Sequence, residues 1–96
     1  MRYNKKFIQA RFEIAMNAIN VPFGETYVRK ADDSGWQANV GVHFIDHNSS
    51  YGGYSINKIA NVNGGESQPF GSRRYNASEF VALLDGIIGA AYAMKN

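Results

Sequence analysis

The 96-residue chain has no cysteine. That excludes a disulfide framework, a thiol nucleophile and a thiolate metal site, and it fits a reducing compartment. Charge of one sign is also missing, because ten Lys and Arg residues barely outnumber eight Asp and Glu residues and the net charge is +2. A balance this even does not by itself mark a nucleic-acid binder, although the sequence pI is about 9.0. No uninterrupted apolar run reaches the roughly 18 residues that cross a bilayer. The polar start Arg2, Asn4, Lys5, Lys6 leads into an amphipathic segment with no leader-cleavage pattern. From these absences we expect a cytoplasmic protein that does not engage membranes.

An apolar content of 45% is enough for one core in a chain of this length. Residues 1–96 therefore read as one α+β domain. The clearest element is the last helix, Asn76 to Met94, where Phe80, Leu83, Leu84, Ile87, Ile88, Ala91 and Met94 recur at three- and four-residue spacing. Asn76 followed by Glu79 has the pattern of a capping box, with Ser78 an alternative cap. Gly86, Gly89, Ala90 and Ala93 let a second backbone approach this helix closely, whether within the chain or from a second copy. A first helix is expected from Asn4, its N-cap, to about Ile19, with Ile8, Phe12, Ala15 and Ile19 inward and Phe7 and Ile14 widening the stripe. Pro22 and Gly24 end it. Lys5 and Lys6 fall in its first turn, where the helix dipole disfavours cations by up to about 1 kcal/mol.

Between the helices, Glu25 to Ala31 reads as a strand and Asp32-Asp33-Ser34-Gly35 as a turn. Trp36, Ala38, Val40, Val42 and Phe44 then alternate with Gln37, Asn39, Gly41 and His43, which predicts a second strand with the first set buried and the second wet. After Asp46 to Ser50 and Gly52-Gly53, a third strand is expected from Tyr54 to Val62, with a break in alternation at Ile59. The polar stretch from Val62 to Asn76 is a long loop, with an edge strand possible around Gln68 to Phe70. The expected architecture is helix, three-stranded antiparallel sheet, helix, with the helices packed on one face.

Catalytic chemistry is sparse. Four residues of strand would hold His43 and His47 about 13 Å apart, too far to share a metal. His47 beside Asp46 has acid–base potential and an exposed loop position as the simpler alternative. Ser49, Ser50 and Ser55 lie in no nucleophile motif, and Asp32-Asp33 is explained by turn chemistry. We expect no enzyme activity, no cofactor and no metal. Gly71-Ser72-Arg73-Arg74, just before the last helix, brings backbone N–H groups, a helix N-terminus and two guanidinium groups toward a potential anion, without the spacing of a phosphate loop.

The helix–strand–strand–strand–helix order with Gly71-Ser72-Arg73-Arg74 ahead of an alanine-bearing helix resembles the double-stranded RNA-binding domain. In that family a basic cluster at the second helix contacts phosphates, and only Arg73 and Arg74 carry over; Tyr75 and Ala77 stand where more lysines would be expected. A short, cysteine-free α+β chain with surface aromatics and no catalytic set is also similar in type to small bacteriophage inhibitors of anti-CRISPR and anti-restriction kind. That resemblance implies a protein that binds and sterically blocks host nucleic-acid-processing or defence machinery. The expected partner patch is Tyr51, Tyr54, Phe70, Arg73, Arg74 and Tyr75, in or beside the glycine-rich loops. Tyr54 and Phe70 have a competing place in the core, and Trp36 reads as core. The alternative function is direct binding of double-stranded nucleic acid through Arg2, Lys5, Lys6, Arg73 and Arg74. The chain is expected to be a monomer or a homodimer.

Overall fold

The structure is a computed structural model that describes residues 3–48 and 52–95. The first helix, α1, spans Lys5–Ala18 and is capped by Asn4, whose Oδ1 accepts from Phe7 N–H at 2.8 Å. Its buried residues are Ile8, Phe12, Ala15 and Met16, a stripe narrower than the one expected. Phe7 and Ile14 are half exposed, and Met16 takes a core place instead. Asn20 (φ 58°) closes the helix in a Schellman turn, with Val21 N–H donating to Met16 C=O at 3.1 Å and Asn20 N–H to Asn17 C=O at 3.2 Å.

Two short strands follow, β1 (Tyr27–Arg29) and β2 (Trp36–Ala38), paired antiparallel as a separate two-stranded ribbon. Asp32 shapes their turn by accepting from both Ser34 N–H and Ser34 Oγ–H. The single strand expected from Trp36 to Phe44 does not form. Gly41 (φ 94°) sits in a tight turn in which Val42 N–H donates to Asn39 C=O, and the chain leaves the ribbon there to join a different sheet. The change of sheet resets the alternation, so Trp36 and Val40 face solvent while His43 is buried. His43 N–H and Nδ1–H both donate to Pro22 C=O, at 2.8 and 3.0 Å.

The main sheet has the order β3-β4-β5, all antiparallel, from His43–Asn48, Gly53–Ile59 and Glu66–Ser67. The short third strand thus falls just before the Gln68 to Phe70 stretch expected to form the edge. β4 is central. Beyond β5, its outer edge is bridged by Tyr75, which exchanges two backbone hydrogen bonds with Tyr54 at 2.7 and 2.9 Å. Gly53 makes this approach possible, because a Cβ there would lie 2.8 Å from the Tyr75 carbonyl carbon.

The last helix, α2, spans Ala77–Met94, and the Asn76–Glu79 capping box is complete. Arg11 pairs with Asp85, and the ends of the two helices meet where Ala18, Ile19 and Asn20 face Ala91, Met94 and Lys95, so α1 and α2 run parallel. Both cover one face of the sheet. Phe12, Met16, Ile56, Phe80, Leu84 and Ile88 form the centre of the core. Val81 is buried as well, whereas Met94, expected inside, is 85% exposed. By length and composition α2 is apolar enough to cross a membrane, with mean hydropathy 1.4 over 18 residues. Here its buried face is spent on the domain core. The architecture is a single α+β domain, two helices with an antiparallel sheet, as the sequence predicts.

Candidate functional site

The residues expected to form a patch are dispersed in their roles. Arg74 is a structural brace: Nη2 donates to Asp46 Oδ2 at 2.5 Å and Nη1 to Gly53 C=O at 3.2 Å, tying the pre-helix segment to β3 and β4. Arg73 is exposed, donates to Glu79 Oε2 at 3.0 Å and lies over the Tyr75 ring at 5.0 Å. Both guanidinium groups therefore already face carboxylates. Tyr54, Phe70 and Tyr75 are partly buried against the core, which answers the competition between core and surface largely in favour of the core. Lys5 and Lys6 are exposed at the start of α1 and take part in none of the ion pairs among the described residues. Arg2 and Tyr51, like Ser49 and Ser50, lie outside the described residues.

A different surface is aromatic. Tyr27 pairs with Ala38 and Arg29 with Trp36 across the β1–β2 ribbon. Directly opposed residues share a face and alternate residues repeat it, so Tyr27, Arg29, Trp36 and Ala38 stand together on one side. Trp36 is 60% exposed and Tyr27 49%. The Arg29 guanidinium lies 5.5 Å from the Trp36 ring centroid and pairs with Asp33, with Nε donating at 2.7 Å, so indole and guanidinium form one plate. Tyr27 reaches across to Gly64 in the loop beyond β4, where Val62 is 78% exposed. The ribbon is held off the helix layer and widens the molecule. Its radius of gyration is 14.5 Å, against about 12.5 Å for a compact domain of this length.

A cleft of about 420 Å³ opens at the other end, between the first turns of α1 and the edge strand β3, lined by Lys5, Ile8, Gln9, Ile45, Asp46, His47 and Tyr54. His47 stacks on Tyr54 at 4.2 Å, and Tyr54 stacks in turn on Phe80 at 5.3 Å. The acid–base pairing considered for His47 and Asp46 is not made, because the Asp46 carboxylate is bonded to Arg74. Ser55 is buried and donates to Asn57 Oδ1. Among the described residues, no group of three or more His, Asp or Glu side chains gathers to metal-binding distance.

Comparison with protein-family models, curated proteins and solved structures finds no match for this chain. Trp36, predicted as core, is exposed because the alternation from Trp36 to Phe44 does not continue through Gly41, and nothing in the Glu25 to Ala31 strand signals which way Tyr27 faces. A glycine inside a strand pattern is the available signal that the strand ends or bulges. With the pattern cut there, Trp36 belongs to a short ribbon with no assigned inner face.

Proposed function

We propose that this protein is a non-enzymatic binding protein that holds a partner protein against the exposed face of its β1–β2 ribbon. The observation that supports the reading is the plate of Trp36 and Arg29 beside Tyr27, held off the core. Trp, Tyr and Arg are the side chains that dominate contact energetics, each capable of about 2 kcal/mol or more when buried by a partner. Tryptophan is highly buried on average, and one exposed beside a second exposed aromatic makes a candidate contact patch. The mode of action is steric. The similarity in type to phage inhibitors suggests nucleic-acid-processing or defence proteins as the first partners to try.

The experiment is capture from a bacterial lysate on immobilised protein, run beside Trp36→Ala and Arg29→Ala variants whose folded state is checked by circular dichroism. The reading expects a discrete protein retained by the parent chain and lost with Trp36→Ala. Equal retention by both chains would overturn it.

Direct nucleic-acid binding is the alternative, favoured by the unpaired Lys5 and Lys6 and weakened by the carboxylates already facing Arg73 and Arg74. It predicts salt-dependent binding to duplexes, with a slope of about −2 if the two lysines contact phosphates. A salt series with single- and double-stranded DNA and RNA separates the two readings.

A further inference from the structure

The edge of β3 is unfinished. In an antiparallel pair, residues alternate between those bonded to the neighbouring strand and those whose backbone groups point away from it. The direction is set at several positions. His43 N–H donates outward to Pro22 C=O, and His43 C=O accepts outward from Gly24 N–H. Tyr54, opposite His47, likewise directs its N–H and C=O away from β3, to Tyr75. The residues of β3 in phase with His43 are Ile45 and His47, so their N–H and C=O groups point outward too. The segment around Phe23 bridges only His43. Among the described residues, nothing pairs with the outward backbone groups of Ile45 and His47.

The cleft lies along this same open edge. Ile45, His47 and Tyr54 share the helix-facing side of the sheet, since Ile45 opposes Ile56 in the core and His47 stacks on Tyr54. Across the gap stand Lys5, Ile8 and Gln9 of α1. A strand added to β3 would place every second side chain on that side, beside the partly buried Ile45. The charge of the cleft is one-sided. Lys5 has no carboxylate partner among the described residues, α1 carries no acidic residue in its first turn, and the one carboxylate at the cleft, Asp46, is neutralised by Arg74. The helix N-terminus adds to the positive potential.

We propose that the open edge of β3 and the cleft beside it take an extended peptide segment carrying an acidic side chain. The segment pairs its backbone with Ile45 and His47, and its carboxylate reaches Lys5 while the methylenes cover Ile45. This surface is separate from the ribbon face carrying Trp36, and it stands or falls independently of the partner proposed there.

The experiment is titration of the isotope-labelled chain with a blocked heptapeptide of alternating valine and threonine around a central glutamate. It is run beside the same peptide with lysine at the centre, and beside one N-methylated on every amide. The proposal expects the glutamate peptide to shift and protect the amides of Ile45 and His47. Affinity should fall about tenfold with Lys5→Glu, about 1.4 kcal/mol, and remain unchanged with Lys95→Ala, which removes a lysine from the opposite end of the helix layer. The N-methylated peptide should not bind. Binding of the lysine or N-methylated peptide equal to that of the glutamate peptide would overturn it. So would absence of shifts at Ile45 and His47 at millimolar peptide, or sedimentation showing a dimer together with Ile45 and His47 amides already protected before peptide is added.

Discussion

Replacing Gly86 or Gly89 by alanine should make the protein more stable. Both lie inside α2 on its exposed side, and a Cβ built at either meets no atom within 4 Å. Neither has a positive φ. An interior helical glycine costs about 1 kcal/mol relative to alanine, through backbone entropy in the unfolded chain. Each change should therefore raise the melting temperature by about 4–8 °C in a domain of this size. The double variant should gain about 2 kcal/mol, less any coupling between positions three residues apart on one helix. Thermal unfolding by circular dichroism, at two protein concentrations a decade apart, measures this directly. Urea unfolding with a higher midpoint and an unchanged m-value would show that stability rises without a change in the surface exposed on unfolding. A fall in melting temperature would refute the reasoning. A fall that grows with concentration would mean that a second backbone packs into the groove these glycines leave.

Four further outcomes follow from the same structure. Leu84→Ala, at a fully buried position, should cost about 2–5 kcal/mol by denaturant unfolding. Gly53→Ala should cost about 3 kcal/mol through backbone strain and loss of the Tyr54–Tyr75 hydrogen bonds, whereas Gly52→Ala, with open space around it, should cost about 1 kcal/mol. Arg74→Ala should lose about 1 kcal/mol from a partly exposed pair and Arg73→Ala almost nothing, which a double-mutant cycle with Asp46→Ala would resolve. The Ser34 hydroxyl and then the Ser34 N–H hold the Asp32 carboxyl below its ordinary value of 3.8. A depressed folded-state value stabilises above the unfolded-state titration and is lost as pH falls through the folded value. An NMR titration should find Asp32 ionised to lower pH than an unstructured aspartate, with Ser34→Ala moving it back upward.

Local chemistry made much of this fold legible. The capping box at Asn76, the period of Phe80, Leu84 and Ile88, and the Asp32–Gly35 turn each depend on residues within a few positions of one another. The switch of sheets at Gly41 depends on distant pairings, with Ile59 C=O accepting from Gly41 N–H and Val42 C=O accepting from Ile59 N–H. Alternation in a sequence does not say which sheet a strand enters. The same limit affected the arginines. Arg73 and Arg74 look like free cations until Glu79, six residues on, and Asp46, 28 residues back, are brought beside them. The open edge of β3 has no sequence signature at all, because an edge is defined by what fails to pair with it.

The parallel arrangement of the helices bears on how the chain is made. Arg11 and its partner Asp85 are 74 residues apart, and the apolar stripe of α1 emerges long before Phe80, Val81, Leu84 and Ile88 exist to cover it. The sheet between them cannot substitute, since β4 contributes only Ile56 to the fully buried cluster. Contacts so distant in sequence must close a long loop before any apolar burial offsets the entropy lost. During synthesis, then, the apolar side of the first helix stays open to water or to other chains while the intervening strands are made. Formation of α2 is the event that covers that stripe.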